Sequence, residues 1–140
     1  MYQLERLNRF HKAHDLYYET ALTEMKNGKK QSHWMWFIFP QIKGLGKTVT
    51  SQYYAIENRE EALAFLSDVV LGNHIREISS VLLKNINSNP IEIMGIPDNL
   101  KLCSSMTLFY NVSGEKVFFD VLEKYYSGEQ DKRTLKILNM

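Results

Sequence analysis

The chain has 140 residues, a formal net charge of +1, a hydrophobic fraction of 44% and a single cysteine. This composition is typical of one folded domain, which we expect to span residues 1–140. It excludes a disordered chain, a disulfide-stapled scaffold and a general DNA coat protein. The N-terminus is too polar for a signal peptide and no apolar run is long enough for a membrane span, so we expect a cytoplasmic protein without membrane contact.

Helical periodicity dominates the first part of the chain. Between Leu4 and Met25, apolar side chains recur at steps of three or four residues, which predicts one amphipathic helix. The positions on this stripe are Leu7, Phe10, His14, Tyr17, Ala21 and Met25. Asn27-Gly28 is expected to end the helix, because glycine tolerates the left-handed conformation common just beyond a helix C-terminus.

An aromatic segment follows and passes into a glycine-rich loop. Its sequence is Ser32-His33-Trp34-Met35-Trp36-Phe37-Ile38-Phe39-Pro40-Gln41-Ile42-Lys43-Gly44-Leu45-Gly46-Lys47. Both tryptophans of the protein lie within it. Periodicity does not separate a buried strand from a buried helical turn over Trp34 to Phe39, so both remain open at this point.

Two helices are predicted in the middle of the chain. Asn58 is the expected cap of the first, with Glu60 and Glu61 favourably placed in its first turn. Leu71-Gly72 is expected to break this helix, and a further helix is predicted from about His74 to Lys84.

The last third repeats the pattern. A short apolar turn spans Ile91 to Met94, and Pro97-Asp98 predicts a helix that is capped by Asp98 and runs to about residue 110. The next helix is expected to end at Ser127-Gly128, and Asp131 to cap a short final helix. We therefore predict a compact, mainly α domain of six or seven helices, with a short buried strand near residues 34–39 as the alternative to a helical turn there.

The segment from Lys26 to Ile56 carries five lysines and no acidic residue. Aromatic faces beside unopposed positive charge suit a ligand with a flat ring and phosphates, such as a nucleotide. The alternative is an aromatic core element followed by a solvated loop. If the segment lines a pocket, its candidate ligand-binding residues are His33, Trp34, Trp36, Phe37, Gln41, Lys43, Gly44, Gly46, Lys47 and Tyr54.

A second candidate constellation lies in the helix predicted to begin at Asp98. Asp98, Lys101 and Ser105 share one face at spacings of three and four residues, and Ser104 lies next to them. A desolvated lysine amine acts as a nucleophile and a nearby carboxylate exchanges protons, so Lys101 and Asp98 are candidate catalytic residues. Ser104 and Ser105 are candidate ligand-binding residues. Alternatively, Asp98 only caps the helix, Lys101 is solvated and the serines are packing spacers.

Other motifs do not fit a known chemistry. Gly46-Lys47-Thr48 lacks the earlier glycine of a phosphate-binding P-loop, because that position is Gln41. His11 and His14 have no third ligand nearby and the chain has no cysteine pair, so we expect neither a metal nor a cofactor. Cys103 is expected to be a core residue.

Seven sequence runs together resemble one bacterial family, the domain-of-unknown-function family numbered 1810. The runs are Ser32 through Gln41, Gly44-Leu45-Gly46, Tyr54-Ala55-Ile56, Glu61-Ala62, Leu71-Gly72, Asp98 through Phe109 and Gly128 through Leu135. The resemblance covers essentially the whole chain. The resemblance implies no particular activity, because the family name states that the function of its members is unknown. Some members carry the label calpastatin, but this chain has no disordered repeat array that would support it.

A more distant resemblance is to the NADAR superfamily, which is tied to NAD and ADP-ribose and includes YbiA-like N-glycosidases. The chain is similar in having an aromatic-rich segment, then Tyr53-Tyr54 and later a helix with Lys101 before an apolar stretch. It departs from those proteins in lacking their Glu-His-Tyr run. The resemblance implies a compact helical domain, a nucleotide ligand and an N-glycosidic bond as the target.

Residues and resemblances together predict a small cytosolic hydrolase or binder of an ADP-ribose- or NAD-type nucleotide. Adenine would stack on Trp34, Trp36 or Phe37. The diphosphate would meet Lys43, Lys47 and the N–H groups of the glycine loop. Two alternatives stay open: a non-catalytic module that senses a nucleotide or a partner protein, and a binder of single-stranded nucleic acid, which ranks last because its basic footprint is small.

Overall fold

The computed structural model describes residues 2–140, and the side chains from residue 5 onward. Within this part of the chain, nine α-helices form. They are α1 (Tyr2–Lys26), α2 (Met35–Ile38), α3 (Val49–Tyr53), α4 (Arg59–Ser67), α5 (Val69–Lys84), α6 (Pro90–Met94), α7 (Asp98–Ser113), α8 (Lys116–Tyr126) and α9 (Lys132–Ile137). None of the helices described here combines the length and apolar character that crossing a membrane requires.

The core lies between the five longest helices. α1 packs along α5, α5 along α8 and α8 along α7, while α4 packs against both α5 and α7. Phe10 of α1 meets Phe65 of α4 edge to face, with ring centroids 5.1 Å apart, and Phe65 lies 5.4 Å from Phe109 of α7. All three side chains are fully buried, so the hydrophobic effect holds these helices together.

The prediction of a mainly α domain is confirmed, but the described residues form more helices than the six or seven expected. The segment over Trp34 to Phe39 contains the helical turn α2 and not a strand. α3 was not predicted: the Thr48 hydroxyl accepts a hydrogen bond from the Ser51 N–H at 3.1 Å, and the Ser51 hydroxyl accepts one from the Thr48 N–H at 3.0 Å. This reciprocal cap starts a short helix. Strand-like pairing in the described chain is limited to one parallel bridge, between Ile42 and Ile56.

The break between α4 and α5 falls at Asp68, and the prediction of a break at Leu71-Gly72 is wrong. The Asp68 carboxylate accepts hydrogen bonds from the N–H groups of Val70 and Leu71, both at 3.0 Å, so α5 begins before the glycine. Gly72 lies in the first turn of α5, where a β-carbon would collide with the carbonyl oxygen of Leu66. The glycine therefore permits a close approach of two chain segments and does not form a turn.

α7 begins at Asp98 as predicted, but Asp98 is not its cap. Pro97 occupies the N-cap position without a side-chain hydrogen bond, and Asp98 is the first helical residue. Its carboxylate is consequently available for ion pairs. α7 also continues past the predicted end near residue 110 to Ser113, where the left-handed Gly114 stops it.

Other predicted helix termini are confirmed. Asn58 accepts a hydrogen bond from the Glu61 N–H at 2.9 Å, and Asp131 accepts one from the Thr134 N–H at 3.2 Å. Ser127 adopts the left-handed conformation at the end of α8. These ends were predictable because a cap depends on residue types at a fixed local spacing.

Candidate functional site

A cleft lies between the segment containing α2 and α3 on one side and α7 with α9 on the other. It consists of two adjoining hollows that share Gln41, Ser51 and Lys101. The outer hollow has a volume of about 190 Å³ and the inner hollow one of about 10 Å³. The inner hollow is therefore about the size of one water molecule, whereas the outer one accepts a compact chemical group.

Lys101 is the charged side chain common to both hollows. α7 places it one turn after Asp98, whose Oδ1 lies 3.3 Å from the Lys101 ammonium. The same ammonium lies 5.7 Å from the centroid of the Trp36 ring, within the range of a cation–π contact. Because 27% of the Lys101 side chain is exposed, the ammonium is accessible from the cleft.

Lys30 approaches the same carboxylate from the opposite side and was not identified from the sequence. Its ammonium lies 2.9 Å from Asp98 Oδ2 and donates a hydrogen bond to the Ser32 carbonyl at 2.6 Å. It also lies 5.2 Å from the centroid of the Trp34 ring. Both oxygens of Asp98 thus have an ammonium partner: the nearly buried Lys30, and Lys101, which lines the cleft.

The glycine loop, residues 43–47, is fixed by contacts at both ends. The Ile56 N–H donates to the Gln41 carbonyl at 2.9 Å, and the Lys43 N–H donates to the Ile56 carbonyl at 2.8 Å. At Gly46, a β-carbon would collide with the Ser51 hydroxyl, so the loop approaches α3 this closely only with glycine there. The two contacts bring Gln41 and Ser51 to the same hollow.

Tyr54 lines the inner hollow and the chain around it is held by Arg9. The Arg9 guanidinium donates to the carbonyl oxygens of Tyr53 and Ala55 at 2.8 and 3.0 Å, and it pairs with the fully buried Glu61 at 2.9 Å. Desolvation opposes the charge on Glu61, but hydrogen bonds, first from Arg9, outweigh it and the pKa of Glu61 is lowered. Burial raises the pKa of Tyr54, so its phenol is neutral at physiological pH.

α9 forms a further wall and contributes Arg133, which the sequence analysis did not select. Asp131 caps α9 and accepts a hydrogen bond from the Ser104 hydroxyl at 3.0 Å, which ties α9 to α7. Arg133 Nε lies 3.7 Å from Asp131 Oδ1, and 64% of the Arg133 side chain is exposed beside the outer hollow. No local pattern marks Arg133, because its place depends on how α9 packs against α7.

The structure brings one group of the predicted site residues together and separates the rest. The cleft is lined by Trp36, Gln41, Gly46, Lys47, Tyr54, Lys101 and Ser104. The predicted residues that are not found among the described lining residues are His33, Trp34, Phe37, Lys43, Gly44, Asp98 and Ser105. Seven of the residues that line the cleft were therefore predicted from the sequence, on the basis of the aromatic segment, the glycine loop and the helix that carries Lys101.

Trp34 and Phe37 belong to the core, which leaves Trp36 as the tryptophan of the cleft. Trp34 is 0% exposed, and its indole N–H donates to Glu24 at 2.8 Å. Phe37 is 4% exposed, and its ring centroid lies 5.2 Å from that of Tyr54. α2 packs against α1, and a single helical turn cannot present all of its aromatic faces to one side.

The remaining predicted residues lie around the cleft. His33 is exposed ahead of α2, and Lys43 pairs with Glu57 at 3.1 Å. Gly44 adopts a φ of +109°, which favours glycine. Ser105 is fully buried, and its hydroxyl has no hydrogen-bond partner among the described residues.

Metal binding and thiol chemistry find no support in the described part of the chain. Residues with a described placement contain no cluster of three or more His, Cys, Asp or Glu side chains suited to a metal. Burial raises the pKa of the half-buried Cys103 thiol to about 11. The thiol is therefore protonated at neutral pH, and the reactive thiolate is scarce.

The electrostatics of the cleft favour an anion. Among its described lining residues, three carry positive charge and none carries a carboxylate. Lys47 comes from the glycine loop, Lys101 from α7 and Arg133 from α9, so the three cations converge from separate parts of the chain. Trp36 and Tyr54 add flat apolar surface. This arrangement suits a ligand that combines phosphate groups with a ring.

In the described part of the chain, the fold and the cleft define a small helical protein with a cationic, aromatic-lined cleft. The chain belongs to the family described as protein of unknown function DUF1810, whose family model matches residues 4–138. It is similar to the crystal structure of the conserved hypothetical protein Rv1873 from Mycobacterium tuberculosis, with 40% sequence identity, a TM-score of 0.93 and 96% of each chain covered. No curated protein matches the chain.

Proposed function

We propose that this protein binds an ADP-ribose- or NAD-type nucleotide in the cytosol and hydrolyses its N-glycosidic bond. The observation that carries the proposal is the convergence of Lys47, Lys101 and Arg133 on an aromatic cleft whose described lining has no carboxylate. A diphosphate supplies the negative charge that these cations favour.

The diphosphate occupies the outer hollow between Lys47 and Arg133, and a ring of the ligand stacks on Trp36. A base–aromatic contact of this kind contributes about 1–3 kcal/mol. The outer hollow, with a volume of about 190 Å³, is smaller than a typical ligand site of about 300–1,000 Å³. Part of the nucleotide therefore extends beyond the cleft into solvent.

The distant resemblance to NADAR proteins supports the same ligand class. Its landmarks in this chain are Tyr53-Tyr54 and Lys101, which are far apart in sequence. In the structure, Tyr54 and Lys101 line the same inner hollow. Tyr53 is 59% exposed and points to a different surface beside Arg9.

Hydrolysis places the scissile bond beside Lys101. The C1′–N bond breaks with its electron pair on the departing base, and water supplies the hydroxyl at C1′. The second proton of that water goes to solvent when the base is the nicotinamide of NAD, which leaves neutral, and to the base when it is adenine. The ribose then opens to its aldehyde. Lys101 gives a proton to Asp98, and its free amine condenses with the aldehyde to an imine and water, which hydrolysis reverses. Asp98 returns the proton when the sugar leaves.

Binding is tested by thermal unfolding against ADP-ribose, NAD, AMP and ribose phosphate. A ligand present at about 100 times its Kd stabilises the fold by about 2.7 kcal/mol, which raises the Tm of a domain of this size by several degrees. The shift with ADP-ribose should disappear in Lys47→Ala and Trp36→Ala. Lys43→Ala is the matched control, because Lys43 lies in the same loop but pairs with Glu57. The absence of a shift with all four compounds would contradict the proposal.

Catalysis is tested separately with Lys101→Arg, which keeps the positive charge but not a nucleophilic amine. Borohydride added during turnover of NAD should reduce the imine and attach the sugar covalently to the wild type but not to this variant, while ADP-ribose still raises the Tm of both. A wild-type protein that binds ADP-ribose but releases no base would support the alternative, a non-catalytic nucleotide sensor. The 3.3 Å ion pair between Lys101 and Asp98 is the observation that favours this alternative, because an ion-paired lysine can attract an anion without any chemical step.

A further inference from the structure

We infer that Lys30, which is nearly buried and is not among the described residues lining the cleft, controls the anion affinity of the cleft through Asp98 and Lys101. The inference deepens the proposed function and rests on it, since it concerns how the same site attracts a phosphate-bearing ligand. Lys30 is a positioning residue: its ammonium contacts Asp98, and Asp98 contacts the lysine that faces the ligand.

The three side chains form a linear bridge of alternating charge. Lys30 Nζ lies 2.9 Å from Asp98 Oδ2, and Lys101 Nζ lies 3.3 Å from Asp98 Oδ1. Side-chain exposure rises along the bridge, from 9% for Lys30 to 17% for Asp98 and 27% for Lys101. The buried end is fixed by the Ser32 carbonyl, which accepts a hydrogen bond from Lys30 at 2.6 Å.

The charges of this bridge do not cancel. Two ammonium groups share one carboxylate, so the bridge carries one net positive charge, and its accessible end is Lys101. Without Lys30, Asp98 would have Lys101 as its single ammonium partner in the bridge. The two charges would cancel, and the bridge would present no net charge to a ligand. A single charge at this short range changes the affinity for an anion by about tenfold.

The two tryptophans reinforce the geometry. Lys30 lies 5.2 Å from the ring centroid of the buried Trp34, and Lys101 lies 5.7 Å from that of Trp36 at the cleft. Each ring favours a cation on its face, so neither ammonium is stabilised by Asp98 alone. The bridge therefore links the core tryptophan to the cleft tryptophan through charged groups.

The experiment compares Lys30→Met with Lys29→Met. Methionine keeps an unbranched side chain over Trp34 but removes the charge, and the exposed Lys29 reports the same charge loss at the neighbouring position. Dissociation constants are measured for ADP-ribose and for inorganic pyrophosphate at low and high salt. We expect Lys30→Met to weaken both ligands about tenfold at low salt and by a smaller factor at high salt, because salt screens a nearly buried charge only in part. Lys30→Arg should restore the affinity, and Lys29→Met should match the wild type.

The outcomes separate the two proposals. Wild-type affinity in Lys30→Met, or an equal loss in Lys29→Met, would overturn the role of Lys30 while leaving the nucleotide site intact. Binding of pyrophosphate but of no nucleotide would overturn the proposed function and still test Lys30 on the bare anion. A wild-type protein that binds neither ligand would overturn both. Circular dichroism at the temperature of the assay establishes that Lys30→Met is folded.

Discussion

The Nδ1 atoms of His14 and His74 lie 2.9 Å apart between α1 and α5. His14 is 3% exposed, and its Nε2–H donates to the Phe37 carbonyl of α2 at 2.8 Å. Nδ1 of a neutral His14 is therefore an acceptor, and His74 must donate to it. Tyr18 stacks on His74, with ring centroids 3.5 Å apart. Protonation of His14 adds a donor at Nδ1, so the hydrogen bond survives only if His74 gives up its own Nδ1 proton and accepts instead.

This pair predicts acid-sensitive folding. Burial lowers the pKa of His14 from 6.5 to about 4 and outweighs the hydrogen bond to the Phe37 carbonyl, which raises the pKa. The pKa of His14 is lower in the folded protein than in the unfolded chain. The stabilising contribution of neutral His14 is therefore complete above pH 6.5 and is lost as the pH falls toward 4. From pH 7 to pH 5, the free energy of unfolding should fall by about 2 kcal/mol from His14 alone.

Urea unfolding of variants at the two pH values tests the assignment. His14→Gln should be less stable than the wild type at pH 7 but show a clearly smaller loss between pH 7 and pH 5. His33→Gln is the control, because His33 is exposed, and its pH dependence should equal that of the wild type. An unchanged acid dependence in His14→Gln would show that other groups cause it.

The contacts of Glu24, just before α2, predict a second effect on the free energy of unfolding. Its carboxylate accepts hydrogen bonds from the N–H groups of Gln31 and Ser32, the Ser32 hydroxyl and the Trp34 indole. Burial opposes ionisation, but these bonds outweigh it and lower the pKa of Glu24 to about 2. Glu24→Ala leaves the buried indole N–H without its partner and should reduce the free energy of unfolding by about 3 kcal/mol.

The readout for Glu24 is urea unfolding followed by tryptophan fluorescence, with Glu19→Ala as a control on the exposed face of α1. Because the folded pKa is depressed, the Glu24 contribution is present above pH 4.5 and is lost as the pH falls from 4.5 toward 2. Glu24→Ala should therefore flatten the stability curve in this acid window. A loss below 1 kcal/mol would contradict the structural role of the carboxylate.

Gly72→Ala should destabilise the protein although alanine is the better helix former. In an exposed helix this change stabilises by about 1 kcal/mol. Here the added methyl group would collide with the Leu66 carbonyl oxygen, and backbone cannot move as a flexible side chain does. We expect a loss of about 2 kcal/mol from this overpacking, measured as a lower Tm. Ser80→Ala, farther along the same helix, provides the control. A higher Tm for Gly72→Ala would contradict the close approach between Gly72 and the Leu66 carbonyl.

Arg133→Gln tests the wall that α9 contributes to the cleft. Loss of one of the three lining cations should weaken ADP-ribose binding about fivefold to tenfold at low salt, since exposed charges are screened at high salt. Lys132→Gln removes the same charge from the neighbouring position, which does not line the cleft in the described chain, and should have a smaller effect. Equal effects of both substitutions would mean that only the overall charge of α9 matters. Titration calorimetry at two salt concentrations distinguishes these results.

Local signals in the sequence predicted much of the helical framework. The apolar stripe of α1, the caps Asn58 and Asp131 and the left-handed end of α8 depend on residues a few positions apart. The caps and the end of α8 were confirmed, and the stripe was confirmed except at Tyr17, which is 43% exposed while its neighbour Tyr18 is buried. The errors arose where a tertiary contact competes with a local signal. The sequence pattern around Gly72 predicts a helix break, but the close approach of the Leu66 carbonyl requires a glycine inside the helix. Asp98 is a residue type that commonly caps helices, but its carboxylate forms ion pairs with two lysines instead.

The sequence by itself determined that this is a mainly helical chain with an aromatic, basic segment and a separate Lys101 helix. Tertiary packing decided which of those residues meet. It buried Trp34 and left Trp36 at the cleft, because one helical turn packed on α1 cannot expose both rings. It also brought Lys30 to Asp98 and Arg133 to Lys101 across distant parts of the chain. The order of residues determines the charge of each side chain and the periodicity of each helix. The distance between two charges from different helices is set by how those helices pack.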